Sequence, residues 1–310
     1  MKWKVGHSTR KLNEEMVFQY LENGIEALEL GLPVPKDIFK KMSSYTDFAS
    51  CVHDISSELE QFKKILDNSE IIPHSFHLTF HPAALNDPAS LDVNVAKTTI
   101  DIQKLSLEKA AYLGCKIAVI HPSREPYPEE ERAERIAAAQ KVLAELADFA
   151  AKMNIQIAVE NLPRTCLGRN SSEILELIQA DDRLRVCYDT NHLLGEDAES
   201  FIKACGSKII TLHVSDYDFL DERHWMPGEG KNDWSKIYSL LREVGYNGPW
   251  LYEVGFEGAE SILRSRDLSY ADFRRNADEI FEGKPLTVLG KSAQGLLRWE
   301  ERDALRWSKK

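Results

Sequence analysis

The chain has 310 residues, of which 43% are hydrophobic and 29% charged, and carries a formal net charge of −11. That balance is enough to bury a sizeable core and excludes an intrinsically disordered chain. With no basic block or stripe, it also argues against nucleic-acid binding, which depends on Lys and Arg placed at phosphates.

Short apolar runs alternate with amphipathic stretches along the whole length. Strands are expected at "WKVGH" (3–7), "GIEALELG" (24–31), "PHSFHLTF" (73–80) and "KIAVIHP" (116–122). They continue at "IQIAVENLP" (155–163), "LRVCYDTNH" (184–192), "KIITLHVSD" (208–216) and "PWLYEVG" (249–255). Several are nearly unbroken Val/Ile/Leu runs, as in parallel strands covered on both faces. Helical patterns fill the gaps. The first is capped by Asn13 and stops at Gly24, a long one ends at Gly114, and another, over 128–153, carries acids in its first turn. Shorter ones are expected at 171–180, 197–205 and 233–245, with residues 258–282 following the last strand. The segment 32–72 is long for one crossover and is expected to hold a short helix before a main one at 47–67.

Eight strand–helix units predict a (β/α)₈ TIM barrel over residues 1–282, with 283–310 as a C-terminal extension packed on it. A doubly wound sheet would need a glycine-rich phosphate turn after the first strand, and "GHSTRK" is not one. The five cysteines show no metal-ribbon or C-x-x-C spacing and read as reduced thiols. The N-terminus lacks a secretory pattern, and no run reaches the ~20 apolar residues of a membrane helix. A soluble cytoplasmic protein is expected.

Polar residues gather at one place in each unit, the C-terminal end of the strand. His7, His77, His81, His121, Glu160, Asp189, His192, His213 and Glu253 all fall there. In a barrel those ends meet at one mouth, where catalytic groups of this fold lie. Glu160, Asp189 and Glu253 interrupt apolar strands, where an unpaired carboxylate is costly, and a divalent cation would compensate several at once. Mixed carboxylate and imidazole donors suit Mn²⁺, Co²⁺, Zn²⁺, Fe²⁺ or Mg²⁺. Past the seventh strand, "HVSDYDFLDERHWMPGEG" (213–230) packs six acidic or histidine side chains before its closing turn. Either solvent or a cation would have to satisfy them.

The fragments "AVIHPS", "AVENLP", "CYDTNHLLG", "ITLHVSD", "HWMPGEGKNDW" and "GYNGPWLYEVG" span residues 117 to 255. Through them the chain resembles the xylose isomerase-like barrel superfamily of sugar isomerases and epimerases, with its apurinic endonuclease branch. The resemblance implies one metal held by Glu160, Asp189, His213 and Glu253, with His192 facing the substrate. It also implies a second reading, a multinuclear zinc phosphodiesterase whose extra ligands would be His77, His121, His192, Glu222 and His224. There this chain departs from the branch, with Glu222 where the branch has Asp. The acidic charge favours the sugar reading. Phe80, Trp225 and Phe256 are expected to offer flat faces to a sugar, and His121 and His192 hydrogen bonds.

The expected reaction is proton transfer next to a carbonyl through an enediolate, with Glu160 and Glu253 as the acid/base pair. A metal-dependent lyase or dehydratase acting on a polyol or keto acid would use the same parts. The expected partner is a small carbohydrate, with no nucleic acid and no membrane. A homo-oligomer is compatible with the extension. Arg124, Arg164 and Arg169, just past the fourth and fifth strands, could hold a phosphate or be ordinary surface arginines, so a phosphorylated and a free sugar both stay open.

Overall fold

The computed structural model describes residues 3–307. Its elements run β1 (Val5–Ser8), α1 (Glu14–Glu22), β2 (Ile25–Gly31), α2 (Lys36–Phe39), α3 (Tyr45–Asp54), α4 (Ser56–Asp67) and β3 (Ile72–His77). Then come α5 (Val93–Leu113), β4 (Ile117–Ile120), α6 (Arg132–Ala151), β5 (Gln156–Glu160), α7 (Ser171–Ile178), β6 (Arg185–Asp189) and α8 (Ala198–Cys205). The chain closes with β7 (Ile209–His213), α9 (Trp234–Glu243), β8 (Trp250–Tyr252), β9 (Ile262–Arg264), α10 (Tyr270–Phe281), β10 (Gly290–Ser292) and α11 (Trp299–Trp307).

The first eight strands form one parallel sheet in the order β7-β6-β5-β4-β3-β2-β1-β8. Beyond the ends of β7 and β8 the sheet closes on itself. Val214 N–H donates to the Leu251 carbonyl at 2.8 Å, and Glu253 N–H donates to the Val214 carbonyl at 3.1 Å. A TIM barrel results. Its helices bury one apolar stripe each against the strands, as with Ile174, Leu177 and Ile178 on α7 or Ile237, Leu240 and Leu241 on α9. Inside the barrel the apolar plug is small, built on Val119, Ala158 and Cys187. The space above it is filled by polar side chains. Among the described residues no helix is long and apolar enough to cross a membrane.

Local signals explain the helix ends. The Asn13 side chain accepts from Met16 N–H at 2.8 Å, and Gly114 ends α5 at φ +87°, a conformation that favours glycine. One expectation is corrected. The helix predicted over 47–67 is two helices broken at Ile55, because Ser44 and Asp47 form a capping box that opens α3 and Ser56 turns its hydroxyl back to the Val52 carbonyl. The region 258–282 is helical only from Tyr270, and β9 precedes that helix.

Residues 283–307 do more than trail away. β10 pairs antiparallel with β9. Trp299 N–H donates to the Leu220 carbonyl at 3.1 Å, and the Arg223 guanidinium donates to the Leu297 carbonyl at 3.0 Å. The C-terminal arm therefore leans on the loop between β7 and α9, at the mouth of the barrel.

Candidate metal centre

Glu160 and Asp189 end β5 and β6, His213 ends β7, and Glu253 follows β8. Each offers one donor atom, and the four atoms lie within 4.8 Å of one another. His213 Nδ1 stands 3.2 Å from Glu160 Oε1, 3.3 Å from Glu253 Oε2 and 3.8 Å from Asp189 Oδ2. Glu160, Asp189 and His213 are at most 1% exposed.

The hydrogen bonds around these groups are arranged to leave atoms over. Asp189 Oδ1 accepts from Asn191 N–H at 2.6 Å, while Oδ2 has no hydrogen-bond partner. Glu160 Oε2 and both ring nitrogens of His213 also lack a directed hydrogen bond. Leaving a buried polar atom unpaired costs roughly 1–3 kcal/mol, more if it is charged. Asp189 Oδ2 and His213 Nδ1 face the same point, with Glu160 beside them, and the donor set is three carboxylates and one imidazole. That chemistry fits a divalent cation. Without one the charges distort each other. Burial and the charges of Glu253 and Glu160 push the Asp189 carboxyl well above the usual carboxylate range. Burial would raise Glu160 too, but His213 and His121 outweigh it and hold Glu160 well below.

Other histidines crowd Glu160. Its Oε2 is 3.2 Å from His121 Nε2 and 3.4 Å from His77 Nε2. His77 donates from Nδ1 to the Leu78 carbonyl at 2.8 Å, fixing its ring. His192 donates from Nδ1 to the Asn161 carbonyl at 2.8 Å, beside Asp189 and Glu160. Asn161 in turn clasps the Asp189 backbone through both ends of its amide, at 2.7 and 2.9 Å.

His192, Glu222 and His224 form a further group of three donors. Here the charges are already matched. Glu222 Oε2 lies 2.8 Å from Arg164, and Oε1 lies 3.2 Å from His224 Nε2. Burial opposes a charge on His224, yet Glu222 and Glu253 bring its pKa up to about 10. Arg164 also holds Glu125 at 2.7 Å and Asp221 at 2.9 Å. The Asn191 amide oxygen accepts from Arg223 and His224 N–H at 2.9 and 3.3 Å, fixing this stretch over the mouth.

The rest of the loop is structural. Asp216 accepts from the N–H groups of Gly228, Gly230 and Asn232 and from the Trp234 indole, at 2.9 to 3.1 Å. It is the hub of the "PGEG" turn, and a side chain on Gly230 would collide with it. Asp218 pairs with Arg223 at 2.9 Å, and Asp221 is also met by Arg302 from the arm. Glu229 forms a buried ion pair with Arg264 at 2.8 Å.

Phe80 lies flat against His121, ring centroids 4.8 Å apart and 3° from parallel, with Arg10 over its ring. Phe256 is half-buried among His7, Tyr270 and Phe273. Trp225 does not offer the rim face expected of it. It is 1% exposed and donates its indole N–H to Ser261 at 2.9 Å, so it supports the loop from beneath. His7 is also occupied, between the Tyr20 hydroxyl and the Val254 carbonyl, and burial lowers its pKa to about 4. His81, past the end of β3, packs between Phe39 and Phe80. Residues that the strand-end pattern did not single out are Asn161, Asn191 and Glu29. Glu29 is fully buried on β2, with Oε1 2.9 Å from His213 Nε2.

Comparison with known proteins agrees with this architecture. The inosose isomerase of Bacillus velezensis is 29% identical over 158 residues, 46% of this chain and 55% of that protein. The ketose 3-epimerase of Arthrobacter globiformis is 27% identical over 192 residues, 59% of this chain and 63% of that protein. The chain thus spans between about half and two thirds of the length of the curated relatives it matches. The crystal structure of IOLI protein with a binding zinc atom shares the fold, with a TM-score of 0.65 at 19% identity over 90% of this chain and 97% of that one. The family model described as xylose isomerase-like TIM barrel matches residues 20–273, and the chain belongs to that family.

Proposed function

We propose that the protein is a divalent-metal-dependent isomerase or epimerase of a small carbohydrate ketone. The observation that carries this reading is the convergence of the unpaired atoms of Asp189 and His213 with Glu160 and Glu253 on one point of the barrel mouth. Glu160, Asp189, His213 and Glu253 would hold the cation. When bound there it supplies Lewis acidity to a carbonyl oxygen and the hydroxyl beside it, which makes the neighbouring C–H acidic.

The chain's own residues then do the proton work. Glu160 comes from β5 and Glu253 from β8, so they flank the mouth from different walls. Each has two oxygens, one for the cation and one to take or return a proton, and a pair on opposite sides of a carbon can invert it. His121 and His192 would hydrogen-bond sugar hydroxyls, and Phe80, stacked on His121, would border an apolar sugar face.

An unphosphorylated substrate is favoured. Of the three arginines near the mouth, Arg164 is matched by Glu125, Asp221 and Glu222 and Arg169 by Glu129 and Glu173, which leaves Arg124 without a carboxylate partner among the described residues. A phosphate held by more than Arg124 would have to displace carboxylates. The same matching weakens the multinuclear phosphodiesterase reading, because the charge of Glu222 is already compensated by protein groups. The relatives that carry sugar isomerase or epimerase names support the carbohydrate reading.

The test is proton exchange. Incubated in heavy water with free ketoses and cyclic polyol ketones, the Mn²⁺-loaded protein should incorporate deuterium next to the carbonyl. Glu160→Gln and Glu253→Gln should not. Full exchange in either variant would remove the two-carboxylate scheme.

A further inference from the structure

Building on the cation reading above, we infer that Glu29 is a positioning residue that orients His213 for the metal. Its carboxylate sits on β2 and meets a histidine on β7, two strands that are not neighbours in the sheet. The contact therefore crosses the barrel interior. Glu29 is in register with Ser8 on β1 and Ser75 on β3. Both hydroxyls donate to it, Ser8 to Oε1 at 3.2 Å and Ser75 to Oε2 at 2.9 Å. One level of three adjacent strands is thus given over to holding a single buried carboxylate in place.

What that carboxylate holds is the far side of a candidate ligand. An imidazole that binds a cation through Nδ1 must keep its proton on Nε2. His213 points Nδ1 at Glu160, Asp189 and Glu253, and brings Nε2 to 2.9 Å from Glu29 Oε1, an ion-pair contact without the alignment of a hydrogen bond. A carboxylate behind a metal-bound histidine fixes the ring, selects the tautomer and strengthens the donor. A charge buried only for packing would be replaceable without penalty to the site, since apolar substitutes for buried ion pairs are often neutral in stability. The two roles therefore separate on cation binding rather than on folding.

The experiment uses the full chain stripped of metal by chelation and titrated with Mn²⁺ by calorimetry and with Co²⁺ by visible absorption. Wild type, Glu29→Ala, Glu29→Gln and Asp189→Asn are compared. Glu29→Ala should bind Mn²⁺ about 10- to 100-fold more weakly and change the Co²⁺ spectrum. Glu29→Gln, which keeps an oxygen beside Nε2 but not the charge, should fall between Glu29→Ala and wild type, and it carries the test if the alanine variant fails to fold. Asp189→Asn, which removes a ligand, reports on the cation site itself. If wild type binds and Asp189→Asn does not, while both Glu29 variants match wild type within about twofold, the positioning role is wrong and the cation site stands. If folded wild type takes up neither ion, the cation site and the role of Glu29 fall together.

Discussion

Two acidic clusters share the mouth of this barrel, and they solve the same electrostatic problem in opposite ways. On the loop after β7, Asp218, Asp221 and Glu222 are met by Arg223, Arg302 and Arg164, and Asp216 by backbone and indole N–H groups. At the strand ends, Glu160, Asp189 and Glu253 are met by imidazoles and, at Asp189 Oδ1, by one backbone N–H, while Asp189 Oδ2 and His213 Nδ1 go without a hydrogen-bond partner. Buried carboxylates need compensation of some kind. Where the protein supplies it the group is architectural, and where it does not, an outside cation is the economical answer. A dense run of Asp, Glu and His is therefore not itself a metal site. The distinction lies in which atoms remain unpaired.

The comparison can be broken first at the strand ends. Glu160→Gln and Glu253→Gln should each lower turnover by about 10³-fold or more, with far-ultraviolet circular dichroism unchanged. Near-normal turnover would move the chemistry elsewhere. On the loop side, Arg164→Ala should cost stability instead, about 3 kcal/mol by urea unfolding, because it leaves Asp221 and Glu222 short of a buried partner. A neutral result would mean solvent, not Arg164, satisfies them.

A pH series sharpens the contrast. The His224 pKa rises from 6.5 to about 10, so its stabilising contribution is complete below pH 6.5 and is lost as pH climbs through about 10. For Glu222, burial raises the carboxyl but His224 and Arg164 hold it below 4.5, so its contribution is complete above 4.5 and lost as pH falls below that. In chelator, stability of the wild type should therefore decline on the alkaline side between these limits, and Glu222→Gln should flatten that decline. The smallest effect is expected from Arg302→Ala. Arg302 is a third exposed and Asp221 keeps Arg164, so the loss should not exceed about 1 kcal/mol.

Much of this was legible in the sequence because the barrel imposes a simple rule. A polar residue closing an apolar strand often points into the mouth, which anticipates Glu160, Asp189, His213 and Glu253 without any knowledge of their contacts, although His7, near the end of β1, turns to Tyr20 and Val254 instead. Glu29 obeys a subtler rule. Glu26 and Glu29 are three residues apart on one strand and so face opposite ways; Glu26 meets Lys4 outside, and Glu29 has to turn inward. The loop was less readable, since its partners are remote in sequence. Glu229 waits for Arg264, and Asp221 for Arg164 and Arg302. Trp225 looked like a rim residue because nothing local announces its hydrogen bond to Ser261.

The account rests on one cation shared by four side chains. Its most direct test is the divalent metal content per chain after loading with Mn²⁺ or Zn²⁺ and exhaustive dialysis, measured by elemental analysis for wild type and Asp189→Asn. One equivalent in the wild type and none in the variant is the expected result. Two or three equivalents, or uptake that survives the loss of Asp189, would contradict it.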